Sequence, residues 1–132
     1  GARENPRNSD ESKQAAFEMI ADAASLYEQA GRVEDAIDVY EEGRRLLPEE
    51  HRIDFALATL YEEAGRYTPA IEGYEKLLST DSTLPGAHLG LARSYLALGE
   101  TARARAVLRR LRQERPDSAE VDEVRALLDE GR

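Results

Sequence analysis

The chain has 132 residues, enough for one hydrophobic core, and charged residues make up 34% of it against 6% for aromatic ones. It contains no cysteine, which excludes disulfides, zinc fingers and thiol catalysis. The net charge of −9 argues against non-specific binding to nucleic acid or anionic membranes, and no apolar run approaches the roughly 18–20 residues that span a bilayer.

The pattern of polar and apolar residues predicts helices along almost the whole chain. Residues 1–10 are expected to form a polar, frayed lead, in which Gly1-Ala2 resembles the remnant of a cleaved tag. Proline is predicted in the first turn of two helices, at Pro69 and Pro85, and Asp117 with Glu120 can form a capping box. The predicted helices lie near residues 11–30, 33–46, 51–64, 68–79, 85–98, 101–114 and 118–129.

A repeat of 34 residues organises these helices. Three residue types recur at this spacing: Gly31, Gly65 and Gly99; Tyr27, Tyr61 and Tyr95; Ala36, Ala70 and Ala104. Each glycine is expected to end the first helix of a pair in a left-handed conformation. Each alanine is expected where two helices cross closely, and each tyrosine supplies an apolar body to the same crossing. All six alanine and tyrosine side chains are therefore predicted to be buried.

Residues 17–50, 51–84 and 85–118 resemble three tetratricopeptide repeats. The second repeat carries the family's residues in order: Leu57, Ala58, Tyr61, Gly65, Tyr67, Ala70, Tyr74 and Leu77. The resemblance implies an all-α fold, a right-handed α-solenoid of helix–turn–helix repeats with about seven helices, in a single domain over residues 11–132. Residues 119–132 are expected to form a capping helix whose apolar stripe covers the third repeat.

Catalysis is not expected, and neither a cofactor nor a metal is predicted. The two histidines, His51 and His88, lie in no catalytic or zinc-binding pattern. Glu49, Glu50 and His51 could catch a metal ion, but an acidic first turn favoured by the helix dipole is the simpler interpretation.

In this family the first helices of successive repeats line a concave groove that binds peptides. The positions carried over as peptide-binding residues are Asp22, Ser25, Arg52, Phe55, Thr59, Glu62, Gly86, Leu89, Gly90, Arg93 and Leu96. Phe55, Leu89 and Leu96 are the possible anchors, although Phe55 could instead pack under the N-terminal segment or a neighbouring helix. Gly86 and Gly90 either leave space for a ligand or allow close helix contact.

The resemblance also disfavours one function. Repeats that hold the C-terminal carboxylate of heat-shock chaperones use a clamp of Lys, Asn, Asn, Lys and Arg. The matching positions carry none of these: Ala21, Ser25, Ala56, Gly86 and Gly90.

Charge is unevenly distributed, with −7 over residues 17–50 and +4 over residues 85–118. The basic cluster consists of Arg103, Arg105, Arg109, Arg110 and Arg112 on the second helix of the third repeat. Without aromatic residues to stack on bases it makes a poor nucleic-acid site. Salt bridges to the acidic capping helix and head-to-tail self-association both remain open.

A scaffold or adaptor that binds a protein or peptide is the leading functional hypothesis. The alternatives are a self-assembling structural protein, hence a possible homo-oligomer, and a module resembling secretion chaperones that holds apolar segments. Neither nucleic-acid binding nor direct membrane insertion is expected.

Overall fold

The structure, a computed structural model, describes residues 6–130, which form helices joined by short turns. The helices are α1 (Pro6–Gln29), α2 (Val33–Leu46), α3 (His51–Glu63), α4 (Tyr67–Thr80), α5 (Ala87–Ala97), α6 (Thr101–Glu114) and α7 (Ala119–Glu130). The predicted fold class and the seven helices are confirmed over this range. Residues 6–10, expected to precede the first helix, belong to α1, and residues 1–5 lie outside the described part. Within the described residues, no helix is both long and apolar enough to cross a membrane.

The repeated glycines end α1, α3 and α5 in the same way. Gly31, Gly65 and Gly99 have φ angles of 74°, 74° and 76°, in the left-handed region. In the first repeat the amide of Arg32 donates to the carbonyl of Tyr27 at 2.9 Å, and the amide of Gly31 donates to Glu28 at 3.0 Å. This pair of hydrogen bonds is the Schellman motif, and it recurs in the other two repeats. The repeat period is therefore set by a backbone requirement for glycine.

The chain divides into two compact units, one up to Ala56 and one from Leu57 onward. In the first unit, α1 packs on α2, and Ala24, Ala36 and Ile37 are fully buried. Gly43 of α2 faces Ile20 of α1, where an added Cβ would meet Ile20 Cγ2 at 2.9 Å. Glycine at this position therefore makes room for the branched side chain across the helix pair.

In the second unit, α5 packs on α4 and α6, and α7 packs on α5 and α6. Val121 and Val124 of α7 are buried, and Leu127 and Leu128 are half-buried. This is the placement predicted from the apolar stripe of α7. Within the same unit, Ala70 and Ala104 are completely buried.

The tyrosines only partly follow the prediction. Tyr61 is buried, but Tyr27 and Tyr95 are half-exposed, so the prediction that both are buried is wrong. The Tyr27 ring lies beside an open groove between α1 and α2, with the Arg32 guanidinium 5.1 Å from its centroid. The Tyr95 ring lines an open cleft with Val107 and Arg110. In both cases the ring sits at an open edge of its helix pair, where it is not enclosed.

Candidate peptide-binding faces

The predicted peptide-binding residues fall in both units, and each unit is described separately. The first unit holds Asp22 and Ser25 on α1 and Arg52 and Phe55 on α3. The second unit holds the other seven: Thr59, Glu62, Gly86, Leu89, Gly90, Arg93 and Leu96.

Arg52, in the first unit, is fixed by Glu50, which directly precedes α3, and by two residues of α1. Its Nη2 donates to Glu50 Oε1 at 2.6 Å and to Gln14 Oε1 at 2.7 Å. Its guanidinium also stacks 3.9 Å from the centroid of the Phe17 ring. The hydrogen bonds from Arg52 lower the pKa of Glu50, so this carboxylate stays charged beside the guanidinium. The positive charge of Arg52 is therefore largely balanced within the unit.

The remaining positions of the first unit are more accessible. Asp22 is exposed, and Ser25 and Phe55 are half-buried. Ser25 Oγ accepts a hydrogen bond from Gln29 Nε2 at 3.1 Å, along the same helix. Phe55 is the largest apolar side chain among these four positions.

A polar network in the second unit links α3, α4 and α5. Arg93 Nε donates to Glu62 Oε2 at 2.6 Å, and Arg93 Nη2 donates to Glu62 Oε1 at 3.1 Å. The hydroxyl of Tyr74 donates to Glu62 Oε1 at 2.9 Å. Burial raises the pKa of Tyr74 to about 12, so the phenol remains a proton donor. Glu62 therefore neutralises the positive charge of Arg93 within this unit.

Leu89, Arg93 and Leu96, four and three residues apart on α5, share one helix face. They form a candidate strip for peptide binding, named the binding strip. Both leucines are half-buried, and the Arg93 side chain is 41% exposed although Glu62 fixes its guanidinium. The strip therefore combines two accessible apolar groups with a hydrogen-bond donor of fixed orientation.

Gly90 does not leave space for a ligand, and Gly86 does not belong to α5. Gly86 lies outside the helix, as the N-cap residue with a left-handed φ of 86°, so Pro85 is not in the first turn either. Gly90 is buried, and a Cβ there would lie 2.3 Å from Tyr74 Cζ. Of the two interpretations of Gly90, free space for a ligand is wrong because the Tyr74 ring occupies that space, and close helix contact is confirmed.

Glu120 is a structural residue whose position was not predicted. Its Oε1 accepts the amide of Gly86 at 2.7 Å and its Oε2 accepts the amide of Leu89 at 3.3 Å. The carboxylate thus caps α5 from α7, with His88 Nδ1 only 3.5 Å from Oε2. The predicted capping box of Asp117 and Glu120 is wrong, because Ser118 Oγ accepts the Glu120 amide at 3.2 Å instead. Residue spacing carries no signal for a cap that acts on another helix.

His88 is 1% exposed, and burial lowers its pKa despite the nearby carboxylates. The described residues, His88 and its neighbours included, contain no group of three or more His, Asp or Glu side chains placed to hold a metal ion.

Two of the five arginines of the basic cluster form ion pairs within the repeats. Arg110 Nη1 lies 3.1 Å from Glu75, and Arg103 Nε lies 3.8 Å from Glu100. Over residues 6–130, no ion pair joins the cluster to the acids of α7. The interpretation that the cluster forms salt bridges to the acidic capping helix is therefore wrong.

Comparisons with known proteins agree on one family. Tetratricopeptide repeat models match residues 63–128 and residues 17–60, and a model for YpiA-like tetratricopeptide repeats matches residues 41–82. A comparison with curated proteins gives no significant sequence match.

Similar solved structures include a tetratricopeptide repeat protein from Parabacteroides merdae, 25% identical, with a TM-score of 0.71 over 85% of this chain. This chain spans 44% of the length of that protein. The second domain of human RPAP3, solved with an HSP70 peptide, is 14% identical, with a TM-score of 0.73 over 89% of this chain and 98% of that one. PcrH, solved with the chaperone-binding region of PopD, is 19% identical, with a TM-score of 0.75 over 89% of this chain and 92% of that one. With a repeat model covering half of its residues, the chain belongs to the tetratricopeptide repeat family.

Proposed function

We propose that this chain is a protein-interaction module, a scaffold or adaptor without catalytic activity, that binds a peptide or a segment of a partner protein. The family assignment supports this, as do two similar structures, RPAP3 and PcrH, that were each solved with a bound segment of another protein. The proposed contact residues are those on the first helices of the repeats, with the binding strip of α5 as the best-defined part.

The observation that carries the proposal is the arrangement of the binding strip. Two of the five N–H donors of Arg93 bind Glu62, and the guanidinium also hydrogen-bonds Tyr74, which together fix its plane. The side chain remains 41% exposed, so other donors can reach a ligand. A fixed donor costs less side-chain entropy on binding than a mobile one.

The strip suits a segment with two apolar anchors and a hydrogen-bond acceptor between them. Leu89 and Leu96 provide apolar contact on either side of Arg93. Because Glu62 balances the charge of Arg93, the acceptor can be a backbone carbonyl as well as a carboxylate. The missing clamp residues disfavour the C-terminal carboxylate of a heat-shock chaperone as the ligand.

The test uses a library of random peptides displayed on phage and selected on the whole chain. Peptides that are enriched are then titrated against the Leu89→Asp variant. We expect binding to weaken at least about fivefold, the effect of losing about 1 kcal/mol at an interface anchor. Leu98→Asp is the matched control, because Leu98 lies on the same segment, is 45% exposed and is outside the strip. Phe55→Ala tests the first unit in the same way.

If the selected peptides bind Leu89→Asp and Phe55→Ala normally but lose affinity for Arg109→Ala, the proposed peptide-binding face is wrong. Enrichment of uniformly apolar peptides, with no fixed position for an acceptor, would favour the alternative of a chaperone-like module that holds apolar segments.

A further inference from the structure

The first unit carries an open groove with an apolar floor and an acidic rim. This acidic groove, about 530 Å³ in volume, lies between α1 and α2 and is lined by Met19, Val39, Leu46, Asp35, Asp38 and Glu42. Met19 and Leu46 are 73% and 67% exposed, which is unusual for such large apolar side chains. Large exposed apolar groups with polar residues around them mark interaction surfaces.

The acids of the groove are available to a partner. Asp38 has no ion-pair partner among the described residues. Asp35 pairs with Arg32 at 2.6 Å and Glu42 pairs with Arg45 at 3.1 Å, but both pairs are solvent-exposed. Exposed pairs of this kind contribute little and exchange readily.

The second unit carries a surface of opposite charge. This basic patch, a groove of about 360 Å³ between α6 and α7, is lined by Arg105, Arg109, Arg112, Arg125, Leu108 and Leu128, with Asp129 at its edge. The three arginines of α6 are four and three residues apart and share one face. Over residues 6–130 none of these three has an ion-pair partner, whereas Arg125 pairs with Asp122 at 3.3 Å.

We infer that the acidic groove of one copy binds the basic patch of a second copy, so that the chain self-associates head to tail. Both surfaces combine apolar side chains with several charges, and the charges are of opposite sign. Every copy offers both surfaces, so no other molecule is needed to complete the contact. Such a contact joins different surfaces and leaves one of each unused at the ends, so it produces chains or closed rings of copies.

The surfaces share no residue with the binding strip, so the proposed self-association and the proposed peptide binding can be tested by separate substitutions. Charge attraction across the contact makes it sensitive to salt, because screening shortens the Debye length from about 10 Å at 0.1 M to about 3 Å at 1 M salt.

Sedimentation velocity of the whole chain, from about 5 to about 500 µM, covers the range in which a weak interface dissociates. We expect the average mass to rise with concentration at low salt and to fall toward the monomer at about 1 M salt. A chain that stays monomeric over this range at low salt would overturn the inference.

Two double variants identify the surfaces. The patch variant is Arg109→Glu with Arg112→Glu, and the groove variant is Met19→Glu with Leu46→Glu, all at exposed positions. Each variant alone is expected to remain monomeric. Lys76→Glu with Arg103→Glu is the control for the patch variant, because it changes the net charge equally at exposed positions outside both surfaces, and it should associate like the wild type.

Mixing the two variants is the decisive measurement. The intact groove of the patch variant can bind the intact patch of the groove variant, whereas their altered surfaces are both acidic and repel each other. We expect a one-to-one complex and nothing larger, with unchanged circular dichroism for each variant. Association of either variant alone at the wild-type level, or failure of the mixture to form the one-to-one complex, would refute head-to-tail binding.

Discussion

Replacing Gly90 by alanine tests whether the contact between Gly90 and the Tyr74 ring sets the distance between α5 and α4. A Cβ at this position would lie 2.3 Å from Cζ, 2.6 Å from Oη and 2.7 Å from Cε2 of Tyr74. Carbon atoms in contact are about 3.5–4.0 Å apart, so the ring or the helix must move by about 1 Å or more. The ring cannot easily move, because it is 1% exposed and its hydroxyl is bound to Glu62.

The expected free-energy change combines opposing effects. Alanine improves helix propensity by about 1 kcal/mol relative to glycine. Overpacking costs about 1–3 kcal/mol, and weakening the hydrogen bond to the Glu62 carboxylate costs about 1–2 kcal/mol more. We therefore expect Gly90→Ala to lower the free energy of unfolding by about 1–4 kcal/mol, measured by urea denaturation.

Gly43→Ala is the matched control. Its added Cβ would meet Ile20 Cγ2 at 2.9 Å, but Ile20 is half-buried and lines an open groove, so its side chain can rotate. We expect this variant to stay within about 1 kcal/mol of the wild type, since the gain in helix propensity offsets the adjustment. In a double-mutant cycle, Tyr74→Leu should remove most of the cost of Gly90→Ala. A Gly90→Ala variant as stable as the wild type would refute the reasoning.

Three further predictions concern the same core. Ala70, which is fully buried, should lose about 1–3 kcal/mol of stability when changed to leucine, whereas Ala102→Leu at an exposed position should not; equal melting temperatures would contradict the packing register. Because the pKa of His88 is lowered in the folded state, its contribution to stability should be constant above about pH 6.5 and should be lost as the pH drops through the folded-state pKa. In urea titrations at several pH values, His88→Phe should flatten this decline. Parallel curves for the variant and the wild type would exclude His88 as its cause. Glu120→Ala should cost about 1–2 kcal/mol by uncapping α5, and Glu123→Ala, at an exposed position on the same helix, serves as its control.

The parts of the fold that the sequence predicts are those fixed by local backbone chemistry. Gly31, Gly65 and Gly99 take positive φ angles that disfavour other residues, so their spacing reveals the repeat directly. The buried alanines follow, because they lie at a constant distance from these glycines. Burial of the tyrosines was less predictable, since it depends on what covers each ring from outside its own helix pair.

The candidate site is harder to predict because its properties come from contacts distant in sequence. Arg93 and Glu62 are both in the predicted set, but nothing in the spacing indicated that one neutralises the other. The sequence alone cannot distinguish a glycine that leaves space for a ligand from one that allows close helix contact, and the position of the Tyr74 ring opposite Gly90 decides between them. The sequence pattern likewise predicted that Gly86 lies inside the helix, whereas α5 begins one residue later, at Ala87.

The carboxylate of Glu120 couples the amide hydrogen exchange of the start of α5 to that of α7. The amides of Gly86 and Leu89 have no earlier turn of their own helix to donate to, so their donation to Glu120 depends on α7 remaining docked. When α7 detaches, both protons become open to solvent at the same moment. The start of α5 and the whole of α7 therefore form one cooperative opening unit, and the exchange rates at residues 86 and 89 should follow those of α7.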